Sequence, residues 1–200
     1  MTRVRAVAAL LSALVCVALL AGCGSDLGTA GSQGYVSGNG VITVLPVAER
    51  HRPGTVSGET LEGKPLSLSS YAGQVVVVNV WGAWCPPCRA EADDLAVAAK
   101  ELAKEDVAFV GINTRDSSRA NALSFQRTRD VPYPSIYDPS GRTLLAFRGT
   151  LRPNSIPSTV VIDAQGRVAA SILGELTSPR TLVDLVEDVR SGTAGKEAGG

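Results

Sequence analysis

The chain has 200 residues, with 19 basic and 19 acidic side chains and a hydrophobic fraction of 44%. That length suits one domain of ordinary size with residues to spare for targeting segments or tails. The balanced charge excludes a general electrostatic attraction to nucleic acid, and the apolar content excludes a wholly disordered chain.

Residues 6–21 are apolar apart from Ser12 and follow Arg3 and Arg5, the order of an export signal and short for a bilayer span. The run ends Leu20-Ala21-Gly22-Cys23 and passes into a Gly/Ser-rich stretch, which resembles a bacterial lipoprotein signal. That resemblance implies a signal peptide at 1–22 and a lipid on Cys23 that holds the protein to the outer face of the cytoplasmic membrane. An uncleaved anchor helix is the competing reading, and it too leaves the folded part outside the cytoplasm. Residues 23–40 have the composition of a flexible tether, so a folded domain is expected over 41–191, with order starting near Val41.

Within 55–70 the run Glu62-Gly63-Lys64-Pro65 between alternating stretches predicts a hairpin, and the continuous apolar run 74–81 predicts a buried central strand. Leu95, Ala98, Ala99 and Leu102 recur at helical spacing, which predicts an amphipathic helix from the cysteines to about Glu105. A second buried strand is expected at 107–113, and a helix at 117–129 with Ala122 and Phe125 on one side. Beyond it come a short strand at 135–137 and a helical turn at 144–147. The apolar strand 158–163, the turn Ala164-Gln165-Gly166-Arg167 and the returning strand 168–173 form an antiparallel pair. A helix at 178–190, with Leu182, Leu185, Val186 and Val189 as its stripe, closes the domain, and 192–200 reads as a disordered tail. Strands apolar on both faces, alternating with helices, define an α/β domain whose central sheet is covered by helices on each side.

Of four cysteines, Cys16 lies in the signal run and Cys23 is the expected lipid site, which leaves Cys85 and Cys88 in Trp84-Cys85-Pro86-Pro87-Cys88. A bridge across two residues closes too short a loop to add much stability, so this pair is read as reactive and not as two ordinary core cysteines. A tetrahedral Cys/His zinc site cannot be assembled, since His51 is the lone histidine and there is no second Cys-x-x-Cys. No metal and no cofactor are expected, and Arg89 stands where a c-type haem site requires histidine. Pro86 and Pro87 suit the first turn of a helix, where backbone N–H groups lack intrahelical acceptors. Cys85 would then sit at a helix N-terminus, exposed and ionisable, and attack the partner's sulfur; Cys88, one turn further in, would resolve the mixed disulfide.

The stretch Asn79-Val80-Trp81-Gly82-Ala83-Trp84-Cys85-Pro86-Pro87-Cys88-Arg89-Ala90-Glu91 resembles the active site of the TlpA/ResA branch of the thioredoxin superfamily, and the likeness runs over residues 50–190. It implies a thioredoxin fold with an N-terminal β-hairpin extension and a central mixed sheet flanked by helices. It also implies proton handling by Glu91, three residues after Cys88 on a helix; a solvated surface glutamate is the competing reading. Asn79 stands where thioredoxin has a buried aspartate, and an amide cannot relay a proton by ionising. Ile156-Pro157 matches the position of that fold's cis proline, so Trp84, Ile156 and Pro157 are expected to border a substrate groove. Two departures are Asp93, where the family often has proline, and a long segment at 149–155. Trp81 is read as packing and His51 as incidental.

The resemblance implies a membrane-tethered reductase of exported proteins with cysteine pairs, apocytochrome c foremost, served by a membrane thiol-disulfide donor and working as a monomer. The same pair run in reverse would be a disulfide-forming oxidase, because direction depends on reduction potential relative to the partner, and for this couple about 30 mV corresponds to about 1.4 kcal/mol. A thiol peroxidase would have threonine at the place of Gly82. A copper-binding module of the Sco kind would need a third residue between the cysteines and a histidine after them.

Overall fold

The computed structural model describes residues 35–37, 40–151 and 154–192. The expected signal, the lipid site Cys23 and all of the expected tail but Gly192 lie outside the described residues. Elements follow in chain order. Strands β1 (Tyr35–Ser37) and β2 (Gly40–Val44) precede a small hairpin of β3 (Ser57–Glu59) and β4 (Pro65–Ser67). Then come β5 (Val76–Trp81), α1 (Pro86–Leu102), β6 (Ala108–Thr114), α2 (Arg119–Thr128) and β7 (Ser135–Asp138). The pair β8 (Ser158–Ile162) and β9 (Val168–Leu173) leads into α3 (Pro179–Ser191). Short 3₁₀ turns occupy Leu68–Tyr71, Ala103–Glu105 and Arg142–Phe147.

Seven strands form one mixed sheet in the order β1-β2-β9-β8-β5-β6-β7, parallel where β5, β6 and β7 meet and antiparallel elsewhere. β5 is central and buried along its whole length, which is why its sequence is apolar on both faces apart from Asn79 and does not alternate. Successive side chains still point to opposite faces. Val75 and Val77 meet Leu95, Ala98, Ala99 and Leu102 of α1 and Leu182, Leu185, Val186 and Val189 of α3. Val76, Val78 and Val80 face the other way, onto Val56, Leu144, Phe147 and Leu151. Long helices therefore cover one face, and the 3₁₀ turn at Arg142–Phe147 with its flanking segments covers the other.

The hairpin forms where Glu62-Gly63-Lys64-Pro65 predicts it, with Gly63 at φ 79° in the left-handed region that its turn requires. It stands as a separate two-stranded sheet, linked to β7 by a bridge from Thr60 to Ile136. The expected start of order at Val41 is not borne out: β1 and the first residue of β2 fall inside the stretch 23–40 assigned to the tether, and β2 pairs with β9 from Val41 to Val44. Strand addition at a sheet edge is driven by backbone N–H and C=O groups, which leave no mark in a Gly/Ser-rich composition.

Candidate active site

β5 ends at Trp81 and α1 begins at Pro86, so the loop between them lies at the C-terminal edge of the central strand. Cys85 is the N-cap of α1, with extended backbone angles, and its Sγ accepts the Cys88 N–H at 3.2 Å. Pro86 and Pro87 take the first helical positions, where the missing N–H costs nothing. Cys85 and Cys88 are joined by a disulfide, with S–S 2.08 Å and Cα atoms 5.3 Å apart. Once the bond is reduced, the positive end of the helix dipole favours a thiolate on Cys85.

The expected exposure of Cys85 is not found: both cysteines are 2% exposed. They belong to a cluster with Leu61, Trp81 and Ala122, against which Ala83, Phe125 and Ile156 pack. In the oxidised pair the Cys85 sulfur turns inward toward Cys88, and the surface is left to Trp84, which is 49% exposed. The Trp84 indole lies over Gly82, where an added Cβ would stand 2.4 Å from Nε1. That nitrogen donates to the Thr114 carbonyl at 3.1 Å. A threonine at position 82, as a thiol peroxidase would require, has no room beneath this indole. Trp81 packs as expected, tilted against Phe125 and donating from Nε1 to Ser135 Oγ at 3.1 Å.

Glu91 is buried, not solvated, at 1% exposed. Asn79 Nδ2 donates to Oε1 at 3.0 Å and the Leu176 backbone N–H donates to Oε2 at 2.8 Å. Burial pushes its carboxyl up to about 8, against those two hydrogen bonds, which favour the charged form; nearby Glu175 and Asp94 push the same way as burial. Tyr133 is also buried, and desolvation followed by the Glu91 charge raises its hydroxyl above the usual phenol range. Glu91 thus titrates near neutrality one helical turn from the disulfide. Asn79, which cannot ionise, serves as a donor to Glu91 and to Thr159 Oγ1.

The Ile156–Pro157 peptide bond is cis, as its position implied. The Pro157 carbonyl accepts the Gly174 N–H at 3.0 Å, which ties the turn to the end of β9. Ile156 packs against the cysteine cluster, and Pro157 follows it in the chain, directly before β8. Trp84 also lines an open groove of about 850 Å³ that takes in Arg89 of α1 and Asn121, Phe125 and Arg129 on and after α2. The Arg89 guanidinium stands 5.4 Å over the Phe125 ring. Asp93 leaves α1 unbroken to Leu102 and pairs with Arg129 at 2.8 Å on the surface. His51 is exposed and far along the chain from this cluster, with Nδ1 near the Glu49 carbonyl. Among the described residues, no group of three or more His, Cys, Asp or Glu side chains is placed to hold a metal ion.

Sequence reasoning missed Asp116. Its carboxylate, on the turn after β6, accepts the Ala83 N–H at 2.8 Å and Asn113 Nδ2 at 2.6 Å. Nothing in the run Thr114-Arg115-Asp116-Ser117 signals a residue that reaches 33 positions back to the cysteine loop.

A family model described as the AhpC/TSA family matches residues 52–171. The chain is 29% identical over 119 residues to the thiol-disulfide oxidoreductase ResA of Bacillus subtilis, covering 60% of this chain and 64% of that protein. It is 34% identical over 112 residues to the thiol:disulfide interchange protein DsbE of Allochromatium vinosum, covering 56% and 58%. The chain therefore spans less than two thirds of the length of these curated relatives. Among solved structures, a DsbF homologue from Corynebacterium diphtheriae superimposes with a TM-score of 0.70 at 35% identity, covering 78% of this chain and 98% of that one. A secreted thiol-disulfide isomerase from Corynebacterium glutamicum gives 0.69 at 35% identity, covering 79% and 99%. With the family model spanning more than half of the chain and the fold shared across most of this chain and nearly all of those structures, the chain belongs to the AhpC/TSA family and carries a thioredoxin-like domain.

Proposed function

We propose that this protein is an extracytoplasmic thiol-disulfide oxidoreductase that reduces disulfides of exported proteins through Cys85 and Cys88. The observation that carries the reading is a redox-capable pair at a helix N-terminus with a buried carboxyl, titrating near 8, one turn behind it. In the dithiol form the Cys85 thiolate attacks one sulfur of the target disulfide and forms a mixed disulfide, while the target's other sulfur leaves and takes a proton. Cys88 then gives its proton to the Glu91 carboxylate and attacks Cys85 Sγ. The Cys85–Cys88 bond closes, and the second target sulfur leaves as a thiolate that is protonated in turn. Two electrons and two protons pass from the pair to the target.

The proposed target is the haem-attachment cysteine pair of apocytochrome c, with a membrane thiol-disulfide protein returning electrons. This target follows the resemblance of residues 79–91 to the TlpA/ResA branch, and the ResA and DsbE relatives support thiol-disulfide exchange as its chemistry. The lipid on Cys23 and the tether after it would hold a monomeric domain at the membrane. The likeness to a secreted thiol-disulfide isomerase at 35% identity favours a second reading, in which the pair rearranges or forms disulfides.

The deciding experiment uses the full chain carrying Cys88→Ser, which cannot resolve the mixed disulfide. Trapped partners should be linked to Cys85 and include a peptide with an oxidised Cys-x-x-Cys-His motif, and the wild-type pair should be reducing relative to that peptide. A pair that oxidises the reduced peptide instead supports the second reading, and no adduct at Cys85 with any disulfide substrate refutes both.

A further inference from the structure

We propose that Asp116 is a positioning residue for the Cys85–Cys88 pair, acting through the peptide unit between Gly82 and Ala83. The two ends of that unit carry the argument. Its N–H, on Ala83, donates to Asp116 Oδ2 at 2.8 Å. Its C=O, on Gly82, accepts the Cys85 N–H at 3.1 Å. A trans peptide is planar, with N–H and C=O pointing in opposite directions, so an anchor at one end fixes the direction of the other. Asp116 is thereby coupled through one rigid plane to the backbone of the residue whose sulfur reacts. The bond is charge-assisted, and Asp116 is 6% exposed, so little water competes for the carboxylate.

The surroundings are built to hold that carboxylate in place. Asn113 lies within the sheet, fully buried, and spends its amide on Asp116 Oδ2 at 2.6 Å, while its own Oδ1 has no hydrogen-bond partner. A buried amide left half satisfied costs free energy, which marks the Asn113–Asp116 bond as the reason for its orientation. The Tyr137 hydroxyl donates to the Asp116 carbonyl at 3.1 Å. Between β6 and Asp116 the chain turns through Arg115 at φ 58°, a left-handed conformation that is uncommon for a residue with a side chain. The same strand end holds the next residue of the loop, since the Thr114 carbonyl accepts Trp84 Nε1 at 3.1 Å. Residues 113–116 thus clamp Ala83 by its backbone and Trp84 by its ring. Cys85 follows directly after these two anchored residues and takes its position from them.

The geometry described is that of the oxidised pair, so the clamp favours the disulfide over a relaxed dithiol. The inference rests on the exchange chemistry proposed above only for its significance, because its test needs no protein substrate. In the full chain, the fraction of Cys85–Cys88 disulfide is read against a series of reduced and oxidised dithiothreitol ratios. Asp116→Ala removes the acceptor and is expected to shift the equilibrium toward the dithiol by about tenfold, about 30 mV for this two-electron couple. Asp116→Asn keeps an oxygen for both donors, loses the charge, and is expected to stay within about twofold of wild type. Amide exchange at Ala83 should quicken in the first variant and not in the second. Should Asp116→Ala not fold, Asp116→Ser, too short to reach Ala83 yet polar, carries the same expectations. An unshifted equilibrium in the alanine or serine variant overturns the proposal, and so does an asparagine variant shifted as far as alanine, which would make Asp116 a distant charge. Wild-type inactivity toward every disulfide substrate would refute the proposed function and leave this result standing.

Discussion

Replacing Glu91 with glutamine should flatten the pH dependence of stability of the oxidised protein between pH 4.5 and 8. The folded carboxyl titrates near 8 in place of its ordinary 4.5, because burial opposes its charge more than the Leu176 and Asn79 hydrogen bonds favour it. Over those roughly 3.5 pH units the folded chain holds a proton that the unfolded chain has released. Stability therefore falls as pH rises, by about 1.4 kcal/mol per unit. The contribution is fully present below 4.5 and is lost as pH climbs through 8, on the order of 5 kcal/mol in all. The glutamine side chain can be housed there without a clash of donors: its oxygen keeps the Leu176 N–H, and an amide flip at Asn79 turns an oxygen toward its nitrogen. Urea denaturation of both proteins at pH 5, 6, 7 and 8, with the disulfide intact so that no thiol titrates, measures the difference. Asp138 and Asp163, both held below the ordinary carboxylate range, act in a more acidic window and cancel in the comparison. The expected result is a difference that grows in favour of the glutamine variant from pH 5 to pH 8. Parallel pH profiles for the two proteins would show that Glu91 does not carry a raised titration and would remove it as the proton acceptor for Cys88.

The same variant should slow resolution of the mixed disulfide while leaving its formation at Cys85 unchanged, read by rapid acid quench and mass measurement. Gly82→Thr should displace the Trp84 indole and break its bond to Thr114, costing about 1–3 kcal/mol and altering tryptophan fluorescence; an unchanged spectrum would contradict the packing described. Asp163→Asn removes the carboxylate facing buried Arg50 at 3.4 Å and Arg167 at 2.9 Å, for an expected loss of about 3 kcal/mol in urea denaturation. Burial raises the Asp163 carboxyl, but the Arg167 and Arg50 bonds outweigh that and lower it. The wild-type protein should therefore lose this contribution as pH falls below about 4, and the variant should show no such loss. Cys88→Ser should abolish turnover and accumulate the Cys85 adduct, and an adduct on residue 88 of a Cys85→Ser protein with equal speed would reverse the assigned roles.

Local pattern carried much of this protein. The buried run through β5, the helical stripe of α1, the hairpin turn at Gly63 and the antiparallel pair β8–β9 all follow from period and turn chemistry, which depend only on neighbours in the chain. The reactive pair was equally legible, because Cys85, two prolines and Cys88 at a strand-to-helix boundary form one contiguous motif, and the Ile156–Pro157 bond was reached through resemblance. Tertiary structure decided what depends on distant partners. Cys85 proved buried, in a cluster to which Leu61, Ala122 and Ile156 come from three other segments. Glu91 became a near-neutral acid because packing removes it from water, against the hydrogen bonds from Asn79 and from Leu176, the latter 85 positions away. β1 joined the sheet through backbone bonds to β2, which itself pairs with β9 and sends Ile42 into the core. Asp116, unremarkable in its own stretch, meets Ala83 only when β6 lies beside β5. Spacing along the chain determines which groups can share a face of one element, whereas desolvation and long-range hydrogen bonds exist only after elements pack, and it is these that set where a proton sits and how a sulfur is held.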